Sequence, residues 1–243
     1  MSDLEGFTPE QVYKNGRLVA EKGHLLVDAP VHEIPEWASP MNTGVLDLDR
    51  LNVPVASAKV RVIGLVANQI LTEHLVERTP ESGGFLVADP DRDLARLMVF
   101  ERHQGSGRIG QGLVKGFGLR AGALASSIAH DSHNIVAAGV DPVDILCAVE
   151  AVRNGGGGLA VAAGGRVLAC LALPLAGLMT TAGAADTAAA EHNLKRAAGE
   201  LGCRIDNPFM ALSFMALPVI PNLKLTDKGL VDVNRFDFVP LFV

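Results

Sequence analysis

The sequence predicts an α/β fold, more closely a mixed α+β sandwich of several strands with two main helices, preceded by a small β-hairpin segment. Three observations lead to this fold class: short apolar runs separated by glycine and proline, two segments with helix-capping signals, and an Asn-Gly dipeptide between two apolar runs near the start. The 243 residues are 49% hydrophobic. The chain can therefore bury a sizeable core, and disorder is excluded as its main state.

A β-hairpin is predicted over residues 11–27, because they contain the Asn-Gly dipeptide that accepts the positive φ angles of a tight turn. Residues 28–56 contain four prolines and little periodicity, which indicates a linker or an extended wrapping segment. The predicted organisation is thus a hairpin segment (1–27), this linker, and a main α/β domain (57–243).

The strands of the main domain are predicted from apolar runs at 58–67, 84–88 and 95–102. Residues 105–130 contain glycine at a density that disfavours a helix and favours strands and tight turns. A buried hairpin is expected over 157–173, where two apolar runs flank a Gly-Gly dipeptide.

Two helices are predicted from the residues that begin them. Asp141 and Pro142 form a typical N-cap and first-turn pair, and the helix should end near residue 154. Asp186 should cap the second helix, over about 187–201. Two helices among many strands are typical of a mixed α+β sandwich.

Composition excludes several classes of function. The net charge is −6 and aromatic residues make up 5%, so neither the basic surface nor the stacking platforms of a nucleic-acid-binding protein are expected. Cys147, Cys170 and Cys203 lie far apart without a CxxC pair. Reduced thiols in a cytoplasmic protein are therefore predicted, rather than a disulfide framework or a cysteine-rich metal site.

No membrane segment or secretion signal is expected. The first residues are polar and acidic, unlike a signal peptide. Residues 167–185 carry no charge and match the length of a membrane span. Pro174 and Gly177 interrupt them, however, so a buried strand that runs into a loop is the predicted structure.

A Gly-x-Gly-x-x-Gly pattern is formed by Gly105, Gly107 and Gly110, with Asp131 about twenty residues further on. Dinucleotide binding requires a helix that opens at the third glycine, so that its positive end meets the pyrophosphate. The continuation QGLVKGFG contains three more glycines and begins no stable helix. The pattern is interpreted as a glycine-rich turn between strands.

The densest group of functional side chains is the run His130, Asp131, Ser132, His133 and Asn134, which lies between two apolar segments. Two interpretations are open: a hydrogen-bonded structural network, which the residue types alone favour, or a site displayed at a strand end. In a site, His130 and His133 could bind a metal ion, and Asp131 could orient an imidazole.

The residues around this run resemble a known family. RIGQGLVKGFGLRAGALASSIAHDSHNIVAAG closely resembles the C-terminal domain of bacterial adenine deaminases, a branch of the amidohydrolase superfamily. The resemblance continues through GGGLAVAAGGRVLACLALPLAGLM and NPFMALSFMALPVIPNLKLTDKGLVDV. QVYKNGRLVAEKG near the start resembles the strand pair of the β subdomain that follows the family's catalytic barrel.

This resemblance implies an aminohydrolase of adenine salvage and catabolism, which converts adenine and water to hypoxanthine and ammonia. The family uses a metal centre, typically Mn²⁺ or Fe²⁺, to form hydroxide near neutral pH. Adenine is the implied substrate partner, and a homo-oligomer is expected, because the absence of a barrel leaves apolar surface uncovered.

The sequence departs from the family pattern in one respect. The family's metal ligands lie mainly on a (β/α)₈ barrel of about 250 residues that begins with an HxH pair, and no HxH pair occurs in this sequence. The HxE…PCxxC pattern of zinc deaminases is also missing. No barrel residue can be assigned, and the chain alone is expected to be inactive.

The chain is therefore interpreted as the product of a truncated gene, one half of a split enzyme with a separate barrel chain, or a domain with its own role. His130, Asp131, Ser132, His133 and Asn134 are the candidate site that would face the barrel. The alternative is a non-catalytic assembly, regulatory or purine-binding module. The LKLTDKG segment, which contains Lys224, Asp227 and Lys228, is predicted as a charged turn.

Overall fold

The computed structural model describes residues 5–28 and 41–243. Contacts within the chain divide it into two compact units, Met1–Glu33 and Ile34–Val243. In the first unit, β1 (Gln11–Lys14), β2 (Arg17–Glu21) and β3 (His24–Leu25) form an antiparallel sheet in that order. Asn15 and Gly16 turn between β1 and β2 with φ angles of 52° and 76°. The predicted hairpin is confirmed, and β3 extends it.

The second unit contains the remaining strands and helices. Its strands are β4 (Lys59–Leu65), β5 (Thr72–Arg78), β6 (Glu81–Ser82), β7 (Phe85–Leu86), β8 (Leu94–Phe100), β9 (Ile109–Lys115), β10 (Ala123–Ser126), β11 (Ile135–Gly139), β12 (Gly158–Ala163), β13 (Arg166–Ala172), β14 (Leu223–Thr226), β15 (Gly229–Asp232) and β16 (Asp237–Val239). Its helices are α1 (Pro142–Asn154), α2 (Ala184–Glu200) and α3 (Pro208–Phe214), with short 3-10 turns at Asp49–Leu51 and Pro90–Arg92. The mixed α+β fold class is confirmed.

An eight-stranded sheet in the order β13-β12-β10-β11-β8-β9-β4-β5 forms the centre of this unit. Its neighbouring strands pair antiparallel, except that β4 and β9 run parallel. Strand β8 shows how the sheet is buried on both faces: Leu97 and Val99 pack towards α2, α3 and β14–β15, whereas Met98 and Phe100 pack towards α1 and Leu51. Layers therefore cover both faces of the sheet.

The segment before β4 contributes to this core. Leu51 is fully buried, and Met41 and Leu46 pack on the α1 side of the sheet. The part of the predicted linker over 29–40 lies outside the described residues.

Residues 241–243 complete the sheet beside β4. The amide of Arg61 donates to Leu241, and that of Val243 donates to Lys59, on the side where β9 pairs only with the second half of β4. Ser57 Oγ also donates to the carbonyl oxygen of Val243 at 2.6 Å. The first part of β4 therefore depends on residues from the other end of the unit.

Two helix predictions can be compared with the structure. Asp141 caps α1 through a hydrogen bond from the amide of Val143, as predicted. Helix α2 begins at Ala184 behind Gly183, so Asp186 lies in its first turn and the prediction of Asp186 as the cap was wrong. The carboxylate there still favours the helix start through the helix dipole.

The hairpin over 157–173 turns at its Gly-Gly dipeptide, as predicted, but only β12 is buried along its length. Strand β13 is the edge of the sheet and is largely exposed. Among the described residues, no helix is long and apolar enough to cross a membrane.

Gly110, the third glycine of the Gly-x-Gly-x-x-Gly pattern, lies in β9 where two backbones meet closely. A Cβ atom on Gly110 would overlap the carbonyl oxygen of Thr226, whereas one on Gly112 would lie 3.6 Å from the Leu230 side chain. Gly110 thus permits close backbone packing. A turn and a strand follow β8 at this point, which confirms the interpretation of this pattern as a turn between strands.

Gly110→Ala should lower the free energy of unfolding by about 1 to 2 kcal/mol, because the added methyl group must displace backbone atoms. Gly112→Ala is the matched control on the same strand, with an expected effect below about 0.5 kcal/mol. Urea unfolding of both variants measures the difference, and equal midpoints would contradict the prediction.

Candidate functional site

The run from His130 to Asn134 forms the turn between β10 and β11, and we name it the HDSHN turn. Both flanking strands are fully buried, so the polar residues of the run occur where the chain leaves the sheet. Asp131 and Ser132 are exposed, Asn134 is buried, and the two histidines are half-buried. The structure therefore brings all five predicted residues together at one end of the sheet.

Arg102, two residues after the end of β8, holds the HDSHN turn through hydrogen bonds. Its buried guanidinium donates from Nε to the carbonyl oxygen of His133 and from Nη2 to that of Ala176, at 2.9 Å for the latter. Its backbone amide donates to Asn134 Oδ1 at 3.3 Å. Burial lowers the pKa of Arg102, but a guanidinium remains protonated at any physiological pH. The turn is therefore held by a fixed positive charge.

Glu101 organises the neighbouring turn over residues 101–106. Its buried carboxylate accepts hydrogen bonds from the amides of Gln104 at 2.8 Å and Ser106 at 3.1 Å, and from Ser106 Oγ at 2.7 Å. Burial alone would raise the pKa of Glu101, but these hydrogen bonds and one from the amide of His103 outweigh it and lower the pKa to about 2. His103 Nε2 lies 2.8 Å from the carbonyl oxygen of Ser132, so this turn supports the HDSHN turn.

A third connection joins the HDSHN turn to the β14–β15 turn. Asn134 Nδ2 donates to Asp227 Oδ1 at 3.3 Å, and the other oxygen of Asp227 accepts from Arg108 Nε at 2.8 Å. This ion pair raises the pKa of Arg108. Asn134 and Asp227 thus hold two loops together that are 93 residues apart in sequence.

Lys224 does not belong to a charged turn, and that prediction was wrong for this residue. It lies in β14 with no exposed surface, and its Nζ donates to the carbonyl oxygen of Ile70 at 2.9 Å. Burial lowers its pKa to about 8. Asp227 and Lys228 do lie in the turn between β14 and β15.

The two histidines have different surroundings. His133 Nδ1 accepts a 3.4 Å hydrogen bond from the amide of Ala129, and its pKa is lowered by burial, then by the charges of His130 and Arg102. The ring of His130 stacks on Phe214 with centroids 4.8 Å apart. Its buried Nδ1 has no hydrogen-bond partner among the described residues.

The HDSHN turn alone does not fit a metal centre. Residues 5–28 and 41–243 contain no group of three or more His, Cys, Asp or Glu side chains that could hold a metal ion. Catalytic metal sites in proteins typically have three protein ligands. A metal contact by His130 or His133 would thus need ligands from outside the described residues.

A concave surface of about 420 Å³ lies in front of the HDSHN turn. Polar groups of Asp131, Ser132, Asp227 and Lys228 line it together with the exposed ring of Phe236. A mainly apolar hollow with a few convergent polar groups is typical of binding sites for small molecules. The displayed side chains of the HDSHN turn therefore face a space that a ligand could occupy.

Sequence reasoning missed Glu101 and Arg102, which hold the candidate site in place. The available signal was their position: two charged residues directly follow the apolar run LMVF at the end of β8. Their partners lie far away in sequence, so the signal marks the residues without revealing what they hold.

Comparison with known proteins identifies relatives along the whole chain. The family model described as the adenine deaminase C-terminal domain matches residues 69–237. The adenine deaminase of Oleidesulfovibrio alaskensis is 46% identical over 243 residues, which cover 100% of this chain and 42% of the relative. The adenine deaminase of Desulfatibacillum aliphaticivorans is 47% identical over 241 residues, with 99% and 42% covered. Adenine deaminase 2 of Carboxydothermus hydrogenoformans is 44% identical over 240 residues, with 98% and 42% covered.

The chain spans 42% of the length of these curated relatives. The family model accounts for most of its residues, including the HDSHN turn and the β14–β15 turn. The resemblance observed in the sequence is thereby confirmed, and the chain belongs to the adenine deaminase C-terminal domain family.

Proposed function

We propose that this chain is the C-terminal part of an adenine deaminase and acts together with a (β/α)₈ barrel supplied elsewhere. The complete enzyme would convert adenine and water to hypoxanthine and ammonia. Relatives named adenine deaminase align with all of this chain, and more than half of their own length lies outside the alignment. That remainder is long enough for a barrel.

The observation that carries the proposal is the rigid display of Asp131 and Ser132. Three residues outside the HDSHN turn hold it through hydrogen bonds: Arg102, His103 and Asp227. Asp131 makes no side-chain hydrogen bond within the described residues, yet it lines the concave surface beside Ser132. A preorganised carboxylate without a protein partner can accept a hydrogen bond from an amino group or ring N–H of a purine.

In the complete enzyme, the HDSHN turn would contribute positioning and proton transfer at the pocket. Asp131 would accept a hydrogen bond from adenine, and the lowered pKa of His133 keeps an uncharged imidazole nearby. The metal, Mn²⁺ or Fe²⁺, would have its ligands mainly on the barrel, because the described residues do not form a metal site.

The test is a chimera in which this chain replaces the matched part of the Oleidesulfovibrio alaskensis enzyme. Adenine conversion is followed by ultraviolet absorbance in the presence of Mn²⁺. Asp131→Asn should lower kcat/KM by about tenfold or more, because it removes the carboxylate that would accept a hydrogen bond from adenine. The melting temperature should not change, because the Asp131 side chain is exposed. Asp186→Asn, the same change in the exposed first turn of α2, is the matched control. Equal activity of the two variants would contradict the assigned role.

A non-catalytic assembly, regulatory or purine-binding module is the second candidate. The observation that favours it is the separate core of the unit Ile34–Val243, which allows this unit to fold without a barrel. An active chimera would decide for the first candidate.

The adenine deaminase proposal includes three further features: a cytoplasmic location, a role in purine salvage, and assembly of identical copies. Such an assembly would cover the exposed ring of Phe236.

A further inference from the structure

The two edge strands of the eight-stranded sheet differ in their protection against other chains. β5, at one edge, has the sequence TEHLVER and carries a charge or an imidazole at four of its seven positions. β13, at the opposite edge, has the sequence RVLACLA, with a single charged residue at its first position. Charged side chains on an edge strand hinder its pairing with a further strand. The β5 edge is therefore protected, whereas the β13 edge is not.

The backbone at the β13 edge can pair with a further strand. The amide of Leu173 donates to the carbonyl oxygen of Gly157 at 2.9 Å, which fixes the alternation of hydrogen bonds along the antiparallel β12–β13 ladder. Leu171 therefore bonds towards β12, whereas the amide and carbonyl groups of Cys170 and Ala172 point away from the sheet. In the part of the chain that the structure describes, no strand pairs with β13 on that side.

The side chains along this edge are apolar and accessible. Val167 and Leu168 are 44% and 46% exposed, and Cys170 and Ala172 are exposed as well. A long, apolar edge without protecting charges pairs readily with another strand. Main-chain hydrogen bonds supply the affinity in such a pair, and alternate side chains supply the specificity. The backbone and side chains of β13 thus specify an extended apolar strand as the partner.

A second copy of β13 fits this edge in one antiparallel register. When Leu171 lies opposite Leu171 of the second copy, Cys170 of each copy lies opposite Ala172 of the other, and the outward donors and acceptors of both residues are bonded. Arg166 lies outside the paired residues, so no like charges meet. The shift in the β12–β13 register leaves Leu168 as an extra residue, and this bulge disfavours registers centred closer to it.

We propose that β13 pairs antiparallel with β13 of a second copy, centred on Leu171, and joins two eight-stranded sheets into one. The contact is twofold symmetric, because each copy contributes the same residues. This inference rests on the assembly of identical copies that the proposed function includes. It assigns a contact separate from any that covers Phe236, which lies between β15 and β16.

Light scattering after size-exclusion chromatography tests the contact on the complete chain under reducing conditions. Wild type should be at least a dimer. Cys170→Lys introduces an ammonium group into the paired strand and should halve the particle mass at the same protein concentration. Val76→Lys is the matched control, because Val76 is 51% exposed on the protected edge strand β5, and it should keep the wild-type mass. Circular dichroism melting shows that each variant is folded.

Leu171→Cys in a Cys170→Ser background tests the register. Opposed residues that do not bond to each other in antiparallel strands have Cα atoms about 4.5 Å apart, which a disulfide can span. Mild oxidation should therefore convert this variant to a covalent dimer on a denaturing gel. Val76→Cys in the same background is the control and should remain a single chain on the gel.

A monomeric wild type would overturn the proposal, and so would a chain that closes this edge only with a separate barrel chain. An unchanged mass of folded Cys170→Lys, an equal loss of mass in Val76→Lys, or a folded Leu171→Cys variant without a covalent dimer would also overturn it. An inactive chimera together with assembly that depends on residue 170 would contradict only the proposed deamination. An active chimera whose free chain is a monomer would contradict only the proposed assembly.

Discussion

Glu101→Gln is expected to lower the free energy of unfolding by about 2 kcal/mol at pH 7. The shift of the Glu101 pKa from its ordinary 4.5 to about 2 corresponds to a stabilisation of the folded state by about 3 kcal/mol. Solvent screening lowers this stabilisation, because the neighbouring residues His103 and Gln104 are exposed. A neutral amide also presents N–H groups where Ser106 donates, so part of the network is lost.

The stability difference between the wild type and the Glu101→Gln variant should depend on pH. A carboxylate with a lowered pKa stabilises the fold fully above its unfolded pKa of 4.5, and the stabilisation is lost as the pH falls towards 2. The wild type and the Glu101→Gln variant should therefore converge in stability between pH 4.5 and pH 2. Urea unfolding across this range measures it. Glu200→Gln, an exposed carboxylate at the end of α2, is the control, and a constant difference at every pH would contradict the explanation.

Lys224→Met is expected to act in the opposite direction and to raise the free energy of unfolding by about 2 kcal/mol at pH 7. The lowering of the Lys224 pKa from 10.5 to about 8 corresponds to a penalty of about 3 kcal/mol for keeping the ammonium charged in the fold. Loss of the hydrogen bond to the Ile70 carbonyl oxygen offsets about 1 kcal/mol of the gain. Methionine preserves the volume of the side chain.

The unfolded chain keeps the Lys224 proton up to pH 10.5, whereas the folded protein releases it near pH 8. The wild type should therefore gain stability as the pH rises through this window, and Lys224→Met should not show this gain. Chemical unfolding at pH 7, 9 and 10.5 tests the difference. Lys228→Met, in the exposed β14–β15 turn, is the matched control. A less stable Lys224→Met variant at pH 7 would show that the ammonium has a structural role.

The two residues differ in how many partners the fold provides. Glu101 receives hydrogen bonds from three amides and one hydroxyl, whereas Lys224 has a single carbonyl oxygen. Burial opposes both charges, and the number of partners decides whether the charged form is stabilised or penalised.

Local signals made part of the fold predictable from the sequence. The Asn-Gly turn of β1–β2, the Asp-Pro start of α1 and the Gly-Gly turn of β12–β13 each depend on neighbouring residues. Strand β5 and helix α3 were not predicted. Strand β5 carries four charged or imidazole side chains in seven residues, and α3 is too short to show a helical period, although its Pro208 is a typical first-turn residue.

The candidate site was predictable only in its central run. Five consecutive polar residues between apolar strands mark the HDSHN turn by composition alone. Arg102, Asp227 and the burial of Lys224 depend on partners 31 to 154 residues away, which no local pattern encodes. No local pattern predicts the need for glycine at position 110 either, because the backbone of Thr226 is what leaves no room for a side chain there.

The pairing of residues 241–243 with β4 has a consequence for biosynthesis. Ser57 and Val243 are bonded across 186 residues, so a nascent chain exposes the first part of β4 long before its partner leaves the ribosome. An unpaired strand edge can pair with another chain, and polysomes bring many identical nascent chains close together. The first part of β4 therefore stays open to pairing with other chains throughout the interval of translation between Ser57 and Val243.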